Sequence, residues 1–261
     1  MNLNETILSG KEVQAADSGV IGELNRKMVE LIKETNQFTY IVTHDLQAPL
    51  RMISGFLELI EKRYAGQLDE AGKQYIGYAM KGSAKMKSLI FDLLEYSRLS
   101  SVEHVFEQTD LNEILKTVTA EMMPEITRTG VLIGSGPLPV LQSDKKLMTL
   151  LFRHLLDNAV KFRNAEMPEI KIAAENHNGS WELTFQDNGI GIDNAFLEKI
   201  FVIFRRLQTD ESKYPGTGSG LAVCKKIAEI HGGFIRAESV PGEGTVIRVR
   251  LATCDNLIQS F

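Results

Sequence analysis

Two side chains with complementary proton chemistry stand next to each other in THDLQAPLR: His44 and Asp45. An imidazole can attack a phosphoryl group through one ring nitrogen when a carboxylate holds the proton on the other, which fixes the tautomer. A lone helical histidine is more often structural or solvated, so the pair by itself decides nothing. Pro49 follows closely and has no amide hydrogen, so it interrupts the helical ladder near His44, although a bent structural helix also tolerates it. A second set of groups suits a nucleotide. HLLDNAVKF, residues 154–162, places Asn158, whose amide oxygen suits a hard Mg2+ ion, three residues before Lys161, which can reach a phosphate from the same face. The same run also reads as an amphipathic helix with a solvated polar side. DNGIG at 187–191 offers the Asp187 carboxylate and two glycines, either a wall where backbone approaches a flat ligand or an ordinary turn. GTGSGL at 216–221 opens a helix whose free amides attract phosphate. It is not a Rossmann fingerprint, because no strand directly precedes it, and the Lys-Ser/Thr ending of a P-loop is missing. GEGT at 242–245 reads as a hairpin turn.

The elements that must position these groups follow from apolar spacing. From Ile21 through Leu24, Met28, Leu31, Thr35, Phe38 and Val42 the steps alternate between three and four, a heptad seam on a helix running to about Tyr64. Gly66 and LDEAG supply a turn, with Asp69 as N-cap of a second helix whose seam is Tyr75, Ala79, Gly82, Met86, Leu89, Leu93 and Tyr96. Such a hairpin exposes too much apolar surface to stand alone, whereas two side by side bury it. The spacing therefore predicts a homodimeric four-helix bundle.

After Ser101 the pattern changes, which places a domain boundary there. FEQTD predicts a short strand, Asp110 caps a helix from about Leu111 to Arg128, and VLIGSG and PLPVLQ predict extended pieces. Asp144 caps the helix through KKLMTLLFRHLLDNAVKF, and EIKIAAEN and SWELTFQD form a hairpin about the turn at 177–179. A short helix near Phe196, a helix from about Ser219 to His231, and strands FIRAES and TVIRVRL complete an α/β sandwich, one sheet covered by helices.

With 261 residues, 43% hydrophobic and 24% charged, the chain has an ordinary globular balance with room for two domains. The 29 basic against 34 acidic residues give a net charge of −5, which argues against nucleic-acid partners. Cys224 and Cys254 read as two unpaired thiols in a reducing, cytoplasmic compartment, and no segment has the run of apolar residues that a membrane span needs.

Taken together and in order, these pieces resemble the transmitter region of a sensor histidine kinase, from about Gly22 to Leu251. THDLQAPL resembles the phosphoacceptor box, HLLDNAVKF the N box, DNGIGI the first glycine box, IFVIFRRL the F box and GTGSGLAV the second glycine box. The wording of HDLQAPLR, NAVKFR and KYPGTGSGLAVCKKIAEIHGG is most similar to phytochrome-like and PAS-linked members. The resemblance implies an α+β chain. Residues 1–19 would link to an upstream sensor absent from this chain, 20–101 would form the dimerisation and histidine phosphotransfer domain, and 102–261 a GHKL (Bergerat) ATP-binding domain.

It further implies that His44 is phosphorylated from ATP with Asp45 as acid/base partner, and that the phosphoryl group then passes to an Asp of a response-regulator receiver domain. Asn158 would bind Mg2+, Lys161 the phosphates and Phe162 the adenine ring. Asp187 would accept a hydrogen bond from the adenine amino group, with Gly189 and Gly191 shaping that wall. Arg206 would approach the terminal phosphate, and about Gln208 to Pro215 would form a short mobile lid whose TDESKYP composition packs poorly. Gly216, Gly218 and Gly220 would line the phosphates, with Thr217, Leu221 and Thr245 counted in the same ATP site. Two positions depart from the family. His154, counted in the same ATP site, stands where Asn or an acidic residue is usual and can still donate to phosphate or contact metal-bound water, which makes activity sensitive to pH. Ala48 stands where phosphatase-active kinases carry Thr or Asn to orient a water, which predicts weak phosphatase activity. Two other readings remain at this point: a GHKL ATPase driving a conformational cycle, disfavoured by the His44–Asp45 helix, and a dimeric nucleotide-binding scaffold without turnover.

Overall fold

The computed structural model describes residues 3–100, 103–164, 167–177, 179–208, 210 and 213–252; side chains of the first helix are described from Gly22 onward, except at 25, 29, 32, 33 and 36. Cys254 lies outside the described residues. The chain divides into two compact units, residues 1–101 and 102–261.

The first unit is a hairpin of α1 (Leu3–Tyr64) and α2 (Glu70–Arg98). Asp69 caps α2 by accepting the Gly72 amide hydrogen at 2.7 Å, as the LDEAG signal predicts. Residues 3–19, expected as a linker, have helical backbone continuous with α1. Pro49 lies inside α1 without ending it, so the helix continues while the Asp45 carbonyl, four residues earlier, loses its helical donor. Leu50 and Ser54 of α1 and Ser83, Ile90 and Leu94 of α2 are buried or half-buried, and the Ser54 and Ser83 hydroxyls meet at 2.6 Å across the helices. That stripe differs from the seam read from the sequence. Leu24, Met28, Leu31, Phe38 and Val42, with Tyr75 and Met86, remain exposed. The hairpin thus carries one stripe that closes it and a second that is still unpartnered.

The second unit runs β1 (Glu107–Asp110), α3 (Leu111–Glu121), α4 (Met123–Thr129), β2 (Leu132–Ser135), β3 (Val140–Ser143), α5 (Lys145–Lys161), β4 (Glu169–Asn176), β5 (Ser180–Asp187), α6 (Gly220–Ile230), β6 (Phe234–Val240) and β7 (Gly244–Ala252). Strands β1 and β3 pair as a small antiparallel ribbon, and the main sheet has the order β2-β4-β5-β7-β6, parallel only at β2–β4. Alternation along the strands sends Ile170, Ile172, Leu183, Phe185, Ile247 and Val249 into the core, where Met148, Leu151, Phe152 and Leu156 of α5 and Ile227 of α6 are buried. Phe152 meets Phe185 edge to face with centroids 5.1 Å apart. The opposite face is polar, with Glu182 between Arg236 and Arg248 and Glu238 on Arg248.

One helix expectation is corrected. The helix foreseen from Leu111 to Arg128 is broken at Met122, because Pro124 has no amide hydrogen to continue α3 and sits instead in the first turn of α4. The short helix foreseen near Phe196 is present, as 3-10 turns at Asn194–Phe196 and Lys199–Phe201. The caps foreseen at Asp110 and Asp144 are present, Asp110 accepting from Asn112 and Asp144 from Lys146 and Leu147. GEGT is the turn joining β6 to β7.

Candidate functional site

On the first unit, His44 is exposed on α1, and its Nδ1 lies 3.2 Å from Asp45 Oδ1. With the proton on Nδ1 donated to that carboxylate, the lone pair rests on Nε2, the arrangement a nucleophilic imidazole requires. Tyr40, one turn earlier, lies nearly parallel to the imidazole with centroids 6.4 Å apart, and the Arg98 guanidinium stands 6.0 Å above the Tyr40 ring. Ala48, on the next turn, is exposed and offers only a methyl group.

The other candidates gather in the second unit, at the C-terminal end of α5 and the loops around it. Asp187, the last residue of β5, is largely buried. Its Oδ1 accepts the amide hydrogens of Gly189 at 2.8 Å and Thr245 at 3.2 Å, while Oδ2 has no partner among the described residues. Burial pushes the Asp187 carboxyl above the usual carboxylate range, and the two amides oppose this only in part. The loop is held by close backbone contact: the Phe162 carbonyl accepts the Ile190 amide hydrogen at 2.9 Å, and a Cβ on Gly189 would overlap that carbonyl. Gly191, at φ 66°, has the Val240 carbonyl where a side chain would begin.

On the other side of Phe162 the groups are cationic. Burial pushes the Lys161 ammonium below its ordinary pKa; Asp157 opposes that, and Arg206 adds to it by like-charge repulsion. Lys161 Nζ stands 4.9 Å over the Phe162 ring and 2.8 Å from where a Cβ on Gly216 would lie. Gly218 accepts the Phe204 amide hydrogen at 3.0 Å, and Phe204 is the one non-glycine with positive φ among the described residues, at 62°. That strained residue aims the chain so that Arg206 Cγ lies 2.9 Å from the place of a Gly218 Cβ. His154 packs against the start of α6, its Nδ1 being 3.1 Å from the place of a Gly220 Cβ. Asn158 makes no side-chain hydrogen bond among the described residues, and the Thr217 and Ser219 hydroxyls meet at 2.9 Å. Leu221 follows in the first turn of α6. These residues fit a nucleotide: a half-satisfied carboxylate for a donor on the base, then two cations and glycine-lined backbone for polyphosphate. No cluster of three or more His, Cys, Asp or Glu that could hold a metal occurs among the described residues, so a divalent ion here would need phosphate oxygens as ligands beside Asn158.

Residues 34–102 match the His Kinase A (phospho-acceptor) domain, and residues 143–254 match the histidine kinase-, DNA gyrase B- and HSP90-like ATPase family. The phytochrome-like protein Cph1 of Synechocystis sp. is 39% identical over 86% of this chain. The chain belongs to the sensor histidine kinases. The aligned region is 30% of the phytochrome-like protein, so this kinase chain spans about a third of that relative. Its fold is also that of full-length ShkA, solved in complex with AMPPNP, with a TM-score of 0.63 at 24% identity over 84% of this chain and 46% of that one. Histidine kinase ThkA, solved in complex with the response regulator protein TrrA, has the same fold, with a TM-score of 0.57 at 24% identity over 84% of this chain and 62% of that one.

One aromatic residue beside the candidate site escaped the sequence reading. Tyr214, in the segment foreseen as a poorly packing lid, is only 7% exposed and stacks on Phe162 with centroids 5.0 Å apart and planes 23° apart. One face of Phe162, the residue expected to pack on adenine, is covered by Tyr214. The signal available was a lone aromatic in a polar run directly before a glycine box. Thr209, Glu211 and Ser212 of that segment lie outside the described residues.

Proposed function

We propose that this chain is the catalytic part of an ATP-dependent protein-histidine kinase that phosphorylates His44 and passes the phosphoryl group to an Asp of a response-regulator receiver domain. The observation that carries the ATP half is the convergence of Lys161, Arg206 and the Gly216–Gly220 loop on one side of Phe162, with the half-satisfied Asp187 carboxylate on the other. Asp187 takes the adenine amino group, and Gly189, Gly191 and Thr245 shape that wall. Lys161, Arg206, Thr217 and the amides before Leu221 hold the phosphates, while His154 supports the start of α6. Asn158, together with phosphate oxygens, would hold Mg2+, which would supply charge neutralisation for the phosphates.

In the transfer, the Nε2 lone pair of His44 attacks the γ-phosphorus. A P–N bond forms while the bond to the bridging oxygen of the β-phosphate breaks, and ADP leaves; Asp45 keeps the Nδ1 proton in place throughout. Little covalent chemistry is asked of the ATP-binding unit, which works by positioning and charge neutralisation. The receiver partner is supported by ThkA having been solved with a response regulator. The family supports a dimer, as does the exposed apolar stripe of the hairpin. Residues 20–101 would form the dimerisation and phosphotransfer domain and 102–261 the ATP-binding domain.

Incubation with γ-labelled ATP and Mg2+ tests this. Label on the wild-type chain should be lost in acid and kept in alkali, as phosphohistidine is, and His44→Gln should abolish it without changing nucleotide affinity. Substantial labelling of the variant would overturn the assignment of His44. ATP hydrolysis without labelled protein would favour an ATPase cycle instead.

A further inference from the structure

Tyr214 is tied down at every group but one. Its ring stacks on Phe162 (5.0 Å, 23°), its amide hydrogen goes to the Asp210 carbonyl (2.9 Å) and its carbonyl accepts from Arg206 Nη2 (3.0 Å). The Lys213 ammonium stands 5.2 Å over the same ring. Only the phenol hydroxyl has no hydrogen bond among the described residues. An aromatic side chain 7% exposed in the run TDESKYP, whose other residues are polar apart from Pro215, is not explained by solubility or by turn chemistry. Its contacts lead to both ends of the candidate nucleotide site. Through Phe162 it reaches the base end, because the Phe162 carbonyl holds Ile190 and abuts Gly189, which in turn donates to Asp187. Through Arg206 it reaches the phosphate end, where Lys161 and Gly216 lie.

We infer that Tyr214 is a positioning residue of the nucleotide site, an aromatic post that sets Phe162 and Arg206 in register so that one ligand meets Asp187 and the phosphate cations together. The inference rests on the ATP reading proposed above and deepens it. A planar ring is required and the hydroxyl is not, since within the side chain the ring makes the contacts and the hydroxyl has no hydrogen bond among the described residues. A removable plug is the contrary arrangement, in which the tyrosine occupies the purine position and leaves when ATP enters. The two differ in sign: loss of a post weakens ATP binding, whereas loss of a plug strengthens it.

The test uses the full chain with Mg2+ and ATP, with affinity from calorimetry and KM and kcat from the rate of His44 labelling. Stacking and burial of one aromatic together correspond to at least about a tenfold change in an equilibrium constant. Tyr214→Phe should match the wild type. Tyr214→Leu, which keeps apolar volume without the planar ring, and Tyr214→Ala should weaken ATP about tenfold or more. The loss should be in KM, with kcat at saturating ATP changed less than about threefold. Melting without nucleotide identifies a variant that has not folded, and the leucine variant then decides. Unchanged or tighter ATP binding by folded Tyr214→Leu would overturn the inference, as would a Tyr214→Phe variant as weak as the leucine one. A wild-type chain that does not bind ATP would overturn the proposed function itself, and that outcome is read before any variant is made.

Discussion

Asp187 shows how the site uses a group that the fold alone would disfavour. Burial raises its pKa, and only Oδ1 is satisfied, by the amides of Gly189 and Thr245. Folded Asp187 therefore takes up a proton at a higher pH than the unfolded chain does. This group costs the folded state stability at every pH above its raised value, and the cost disappears as pH falls to the ordinary carboxylate range. Asp187→Asn keeps an oxygen for the two amides and removes the buried charge. At pH 7 the ligand-free variant should thus melt at or above the wild-type temperature, while ATP no longer raises its melting point. In the wild type, ATP affinity should fall as pH drops through the raised pKa, because a protonated carboxyl loses its strength as an acceptor for the adenine amino group. Calorimetric titrations across that range check both statements, and ATP affinity in Asp187→Asn equal to the wild type would place the base contact elsewhere. Lys161, displaced downward by burial, loses its charge as pH rises, so the two groups bound the favourable range from opposite sides.

At the scale of elements, α5 carries His154, Asn158 and Lys161 of the candidate site, and its start is fixed by one side chain. Asp144 accepts the Lys146 and Leu147 amide hydrogens, and its own amide hydrogen goes to Nε2 of buried His231, whose Nδ1–H is given to the Ile227 carbonyl. Both ring nitrogens of His231 are thereby committed in the neutral form, and burial displaces its pKa downward. Asp144→Ala should lower unfolding stability by about 1 kcal/mol, the usual cost of losing an N-cap, and leave the slope of a urea titration unchanged. A loss no larger than the scatter of the measurement would mean that the His231 contact alone holds the helix start. Such caps were legible because an Asp before an apolar run has few other uses. The break at Met122 was harder to see, since the apolar spacing Leu111, Ile114, Val118, Met122, Ile126 runs straight across it and only Pro124 argues otherwise. Tyr214 was harder still, because its burial depends on Phe162, far away in sequence and near only in the fold.

A hairpin whose helices leave Leu24, Met28, Leu31, Phe38, Phe56, Tyr75 and Met86 in water has far more apolar surface than a soluble monomer usually shows. The sequence displayed these residues, apart from Phe56, as a heptad seam. It did not distinguish the face that meets a second chain from the face, with Leu50, Ser83, Ile90 and Leu94, that closes the hairpin, because both repeat at three and four and only packing tells them apart. The distinction now supplies a selective test. Phe56 and Met86 are 65% and 52% exposed within the chain, so a charge at either disturbs the hairpin itself little. In the core of a bundle made by two hairpins the same charges would lie desolvated and unpaired, at a cost of several kcal/mol. Phe56→Glu combined with Met86→Glu should therefore halve the mass seen in sedimentation while helical circular dichroism and ATP affinity stay near wild type. A dimer that persists at micromolar concentration would show that the two chains meet through another face.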